Sequence, residues 1–141
     1  MNLLLDSSIL IAAEKKLFDL MAMVDARKSG EVFIASIVAS EILFGCERAA
    51  TGKRRKARFA YVEEILATFP ILDFDFEIAR THARLGARLA AEGIGIGAHD
   101  LIIAATCLHH DLDLATLNTD EFARVPELRL RAVTPFLVQE M

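Results

Sequence analysis

The 141-residue sequence predicts one three-layer α/β/α domain, residues 1–141, built on a central parallel sheet. Three observations predict it. Short apolar runs at 2–5, 32–34, 71–72 and 112–117 alternate with longer stretches of helical period, the pattern of a parallel sheet with helical crossovers. The runs are apolar at nearly every position, as strands covered on both faces are. No Pro-, Gly- or Ser-rich linker divides the chain, and a 54% hydrophobic composition with mean hydropathy +0.38 gives a core large enough to offset the entropy of folding.

The elements follow in order. Residues 2–5 form a buried strand that ends at Asp6, with Ser7 or Ser8 as candidate cap of the next helix. Residues 17–28 set Leu17, Leu20, Met21 and Val24 on one helical face, and Gly30 stops that helix. Residues 32–34 form the second strand. Ser36 can cap the following helix, which carries Ile37, Ser40, Glu41 and Phe44 and is weakened by Gly45. Six basic residues then fall within 48–58: Arg48, Lys53, Arg54, Arg55, Lys56 and Arg58. Helical period resumes with Tyr61, Ile65 and Leu66 and ends near Phe69 and Pro70. After a third strand at 71–72, Asp75 caps a helix through Ala91, and Gly93 terminates it. A turn with glycines at 93, 95 and 97 leads to His99 and Asp100, which open a helix to His110. Residues 112–117 make the fourth strand, and 128–133 alternate apolar and charged side chains as an edge strand does.

The bulk numbers exclude several classes. A net charge of −4 disfavours a general nucleic-acid coat, because phosphate binding wants positive charge. Cys46 and Cys107 lack the spacing of a zinc knuckle or redox motif, which points to buried thiols in a reducing cytoplasm. Asp6 interrupts the first apolar run and no basic segment precedes it, so neither a signal peptide nor a membrane span is expected. The 93–97 glycines form neither a dinucleotide fingerprint nor a phosphate loop, and the four histidines do not form a zinc-spaced set.

Chemistry is expected at the carboxyl ends of the strands, where parallel sheets place their sites. Asp6 directly follows strand one, Asn118, Asp120 and Glu121 follow strand four, Asp100 opens a helix after the glycine turn, and Glu41 lies in the helix after strand two. Converging carboxylates repel one another, and a shared proton or a hard cation relieves them. Mg²⁺ and Mn²⁺ prefer such oxygen ligands and assist phosphodiester chemistry. Asp100 and Asp120 can instead serve as helix caps.

These four segments resemble the PIN-domain family. The residues that carry the resemblance are 3–11 around Asp6, Ser40-Glu41 to Gly45, 97–105 around Asp100, and 115–122 with Asn118, Thr119 and Glu121. Their order and spacing resemble the VapC toxins of bacterial type II toxin–antitoxin pairs. The resemblance implies a Mg²⁺- or Mn²⁺-dependent ribonuclease inhibited by a VapB-type antitoxin, with Asp6, Glu41 and Asp100 as an acidic triad. It also suggests a homodimer. Ser7 stands where the family often has threonine. The fourth acid is Glu121 by the family register, with Asp120 in place of a basic residue; Asp120 stays open as the alternative fourth acid and as an ion ligand beside Asp6, Glu41 and Asp100. Asn118 and Thr119 can orient water or ligands, and Ser8 can hold Asp6, touch phosphate or cap the helix.

Arg54 and Arg55, within the basic run, are candidate grips on RNA phosphates, or belong to a solvated helix face. His99 is expected to be an exposed loop residue. A catalytically idle PIN-like binding module is the alternative. A receiver-like or dehalogenase-like phosphoryl-transfer domain is less well matched, because Asp6 lacks a neighbouring second acid and no lysine follows Lys56. Removing four clustered carboxylates from a net −4 leaves zero, so the acidic balance reflects the proposed cation site and does not oppose an RNA partner.

Overall fold

A computed structural model describes residues 2–26, 30–49 and 51–138. Its sheet has four parallel strands, β1 (Leu3–Leu5), β2 (Val32–Ala35), β3 (Ile71–Leu72) and β4 (Asp113–Ala115), in the order β3-β2-β1-β4. Seven α-helices are interleaved among the described residues: α1 (Ser7–Glu14), α2 (Leu20–Ala26), α3 (Ser36–Arg48), α4 (Lys53–Thr68), α5 (Phe76–Ala91), α6 (Ala98–His110) and α7 (Thr119–Phe122). A 3₁₀ turn follows at Thr134–Phe136.

The central strand explains the apolar run that predicts it. Leu3, Leu4 and Leu5 are all buried, so helices cover both faces of the sheet and no position of β1 meets water. The core continues through Ile9, Leu10, Ile34, Ile103, Leu114 and Phe122. Replacing any of the central leucines by alanine would cost about 2–5 kcal/mol in transfer and cavity terms. Gly86 lets α5 approach α6, because a Cβ there would lie 3.2 Å from Leu101 Cδ2.

Several expected details differ. The helix expected at 17–28 starts at Leu20; its buried residues are Leu20, Met23 and Val24, while Leu17 and Met21 face solvent. Positions 27 and 28 of that expectation lie outside the described residues. Leu17 instead lies on an extended segment, where its carbonyl accepts the Val138 N–H and Phe18 bridges Leu137. Ser36 does not cap α3: Ala35 takes that place, and the Ser36 hydroxyl accepts the Phe74 N–H. Asp75 does cap α5, accepting the Ile78 N–H at 2.9 Å.

The edge strand expected at 128–133 reduces to one parallel bridge between Leu114 and Leu130. Its alternation has another cause. Arg129 and Arg131 both reach back to Asp113, at 2.7 and 3.0 Å, and Arg129 also binds Asp111 at 2.9 Å. Burial alone would raise the Asp113 pKa, but these guanidinium hydrogen bonds outweigh it and hold the carboxyl below its ordinary value. Cys46 and Cys107 are buried free thiols, as expected. Among the described residues no helix is long and apolar enough to cross a membrane.

Candidate active site

The site starts from the register of two strands. Leu5 lies opposite Ala115, so the next residues, Asp6 and Thr116, leave the sheet side by side. The Asp6 carboxyl is buried, with the residue 4% exposed, and needs hydrogen bonds. Thr116 Oγ1 and Ser8 Oγ each donate to its Oδ2 at 2.7 Å. Those two hydroxyls also accept backbone N–H groups, Thr116 from Asn118 and Ser8 from Leu117. Asp6 is thereby fixed in direction by a network anchored in both strand ends.

Neither serine caps α1, although both were candidates. Asp6 itself occupies the cap position with extended backbone, and no side chain there accepts a helix N–H. Ser8 orients Asp6. Ser7 turns the other way and donates to Glu41 Oε2 at 3.1 Å, across from α1 to α3.

Glu41 is half-buried, and its second oxygen, Oε1, is buried without a hydrogen-bond partner. The His99 Nδ1 atom lies 3.8 Å from it. Burial raises the Glu41 pKa above its ordinary 4.5; the Ser7 hydroxyl opposes this, the Asp6 charge adds to it, His99 opposes it, and Asp100 adds again. Asp100, in the first turn of α6, behaves alike: burial lifts its pKa above 3.8, and the charges of Asp6 and Glu121 push it further. Asp6, Glu41, Asp100 and Glu121 therefore share one electrostatic neighbourhood. His99 is exposed, as expected, but it lies in the first turn of α6 and not in a loop, and it leans on this cluster.

The two candidates for the fourth acid separate clearly. Glu121 Oε1 accepts the Gly97 N–H at 2.9 Å, and its Oε2 lies 3.3 Å from Arg124. Asp120, on the same short helix, is exposed to solvent. Asn118 is exposed at the start of α7 and makes no side-chain cap bond.

An ion has suitable donors here: all oxygen, mutually repelling, and including one orphaned carboxylate oxygen. Among the described residues no three His, Cys, Asp or Glu side chains are already grouped closely enough to hold a metal ion. Donors that are all oxygen suit a hard cation such as Mg²⁺, which keeps several of its waters, better than Zn²⁺, which favours nitrogen and sulfur.

The basic run divides. Arg48 ends α3 and stacks on Phe44, while the other five open α4. Arg55 is held by Glu47, by the carbonyls of Cys46 and Glu47, and by the Phe59 ring. Arg58 pairs with Glu14 at 3.4 Å. Arg54 is exposed and lines a cleft of about 580 Å³ with Lys15, Arg58, Glu14 and Tyr61. A smaller pocket sharing Glu14, Arg58 and Tyr61 reaches Glu41, so the basic cleft adjoins the acidic site. An apolar groove of about 370 Å³ between α2 and α4, with Phe18, Met21 and Phe69, touches none of the four acids.

The PIN-domain family model matches residues 3–128. The chain belongs to the PIN-domain family. Its acids thus occupy a PIN-domain scaffold, as the four segments imply. The "Ribonuclease VapC" of Rickettsia bellii is 35% identical over 133 residues, covering 94% of this chain and 97% of that relative. The "tRNA(fMet)-specific endonuclease VapC" of Salmonella typhimurium is 31% identical over 97 residues, covering 69% and 71%. Among solved structures, a chain of VapBC2 from Rickettsia felis, bound to a DNA fragment from its promoter, superposes with TM-score 0.83 at 27% identity, covering 93% of this chain and 98% of that chain.

Sequence reasoning overlooked Thr116, the Ser7 contact to Glu41, and Arg124. A signal for Thr116 exists: equal offsets past two neighbouring parallel strands place residues side by side. Arg124 stands three residues after Glu121, a spacing that pairs opposite charges on a helix. Ser7 has no comparable signal, because its partner lies on another helix.

Proposed function

We propose that this PIN domain is a Mg²⁺- or Mn²⁺-dependent ribonuclease that acts as the toxin of a toxin–antitoxin pair. The observation that carries it is the convergence of Asp6, Glu41 and Asp100 on one sheet edge, with Glu41 Oε1 buried and unpartnered. A structural role gives no reason to keep three repelling acids there; a cation does. VapC ribonuclease names among close relatives support the same substrate class.

Asp6 and Asp100 would hold the ion, with Glu41 as the third acid. When bound, the ion supplies Lewis-acid stabilisation of phosphoryl charge and activation of water. The residues do the rest. Ser8 and Thr116 keep Asp6 aimed, so that it need not reorganise when substrate arrives. Glu41 Oε1, held by Ser7 through its other oxygen, is placed to accept a proton from an attacking water. Asn118 can orient substrate or water beside Asp6. Arg54 grips RNA phosphate without reading sequence; Arg55, already bonded within the fold, contributes to it only indirectly.

The partners in this reading are RNA, a VapB-type antitoxin, and a second copy of the chain. The match to a chain of the VapBC2 pair supports the antitoxin. Exposed Phe44, Phe74 and Phe76 supply apolar surface for a homodimer. This reading implies a cytoplasmic protein, in keeping with its free buried thiols.

The test is to incubate purified protein, free of antitoxin, with structured RNAs including tRNA, in Mg²⁺, Mn²⁺ or EDTA. Cleavage that needs the ion and disappears in Asp6→Asn and Asp100→Asn is expected. Absence of ion-dependent cleavage of any RNA would overturn the nuclease reading and leave the idle binding module.

A further inference from the structure

Glu121 is the acid of the cluster with both oxygens occupied by neighbours within the fold. Oε1 accepts the Gly97 N–H at 2.9 Å, and Oε2 lies 3.3 Å from the Arg124 guanidinium. Arg124 in turn donates to the Gly95 carbonyl at 2.8 Å. The turn that delivers α6 is thus fastened at both ends, at Gly95 by Arg124 and at Gly97 by Glu121, and the two fasteners are paired with each other. Gly97 is the cap residue of α6, three positions before Asp100. Its backbone lies against both acids: a Cβ there would stand 3.5 Å from Asp100 Oδ2 and 3.8 Å from Glu121 Oε1.

Glu41 contrasts with this. It keeps a buried oxygen unpartnered, whereas Glu121 has one oxygen bonded to the turn and the other paired with Arg124. Charge-assisted bonds to a backbone N–H and to a guanidinium are the stronger kind.

From this arrangement we infer that Glu121 and Arg124 form a clamp that sets Asp100, and that Glu121 is a positioning residue and not an ion ligand. The ion-binding set is then Asp6, Glu41 and Asp100. This inference rests on the ion-binding reading given above and narrows it.

The test compares Glu121→Gln, Glu121→Ala, Arg124→Ala and Arg124→Lys in the full chain. The readouts are Mn²⁺ affinity, measured by titration with Mn²⁺ alone, and hydrogen exchange at the Gly97 amide. Gln keeps an acceptor for the Gly97 N–H and removes the charge; Ala removes both. Glu121→Gln is expected to bind Mn²⁺ within about three-fold of the parent and to keep Gly97 protected. Glu121→Ala is expected to lose about 10–100-fold in affinity, the usual effect of removing support behind a ligand, and to expose the Gly97 amide. Arg124→Ala should follow Glu121→Ala, Arg124→Lys should recover part of the loss, and the Arg124→Ala/Glu121→Ala double variant should be no worse than Glu121→Ala alone.

Loss of Mn²⁺ affinity in Glu121→Gln as large as in Asp100→Asn would overturn the inference, because it would make the charge a ligand. Unchanged Gly97 exchange in Glu121→Ala would also overturn it. If the parent binds no Mn²⁺, the ion-binding reading falls with it, whereas the Gly97 amide still decides whether the clamp exists.

Discussion

Ser7 Oγ holds Glu41 Oε2 at 3.1 Å, while the other oxygen of the same carboxylate is buried with no partner. One oxygen is anchored and one is left for chemistry, so the hydroxyl at position 7 decides where the free oxygen points. Ser7→Ala should lower ion-dependent cleavage by about 10–100-fold, the scale of an outer support behind a functional side chain. Ser7→Thr keeps the hydroxyl and should retain most activity. Initial rates on one RNA at saturating Mn²⁺ check both.

The acidic cluster should make the metal-free domain less stable as pH rises. The folded pKa values of Glu41 and Asp100 lie above their ordinary 4.5 and 3.8. Between each ordinary value and the raised one, the native state holds more protons than the unfolded state. Stability from these groups is therefore full below the ordinary values and is lost as pH rises through the raised ones. Asp100→Asn should melt higher than the parent at pH 7 without divalent ions, and the difference should shrink at pH 4. The same variant should be inactive. Thermal melts in EDTA at pH 4 and pH 7 measure this.

A divalent cation should reverse that penalty. Mn²⁺ at about 100 times its dissociation constant should stabilise the parent by about 2.7 kcal/mol, and EDTA should remove the gain. Asp6→Asn/Asp100→Asn should show no such gain. Melting temperature against Mn²⁺ concentration reports it without any RNA.

Arg54 and Arg55 should fail in different ways. Arg54 is exposed in the basic cleft, so Arg54→Ala should raise KM with kcat little changed and flatten the salt dependence of binding by about 0.7 in logarithmic slope, the value for one phosphate contact on a single strand. Arg55 joins Glu47 and two carbonyls at the α3–α4 junction, so Arg55→Ala should instead lower the melting temperature. Steady-state kinetics at two ionic strengths, with melts alongside, distinguish them.

Asp113 should be a structural acid. Its pKa is depressed by Arg129 and Arg131, so its stabilisation is present above its ordinary 3.8 and is lost as pH falls through the folded value. Asp113→Ala leaves two guanidinium groups without their shared partner and should cost about 1–3 kcal/mol by chemical denaturation. Catalysis by the remaining folded protein should be unaffected.

Much of this was legible in the sequence because it depends on local pattern. Residues 3–5 are buried on both faces, and a run of three leucines says so directly. Asp6 and Asp100 stood out because the local pattern marks a strand end and a helix start, and Glu41, inside α3, because the resemblance to the PIN-domain family singles it out. What was not legible depends on distance. The exposure of Met21 and Leu17 follows from the chain turning before Leu20, which helical period does not encode. Alternation at 128–133 reads as a strand, yet its arginines point to Asp113, a partner no local rule supplies. Arg55 and Arg54 are neighbours of one type, separated only by the carbonyls Arg55 meets at the end of α3. Glu121 and Asp120 are likewise adjacent, and the tertiary contact to Gly97 distinguishes them.

The bond between Thr116 and Asp6 joins positions 110 residues apart. The threonine is made 110 residues after the aspartate, so Ser8 alone holds this carboxylate until β4 has been synthesised and has docked beside β1. Parallel pairing of this span is slow to form. Asp6 therefore acquires its full orientation only when the sheet has closed, and any chemistry that depends on that orientation belongs to the finished fold and not to the growing chain.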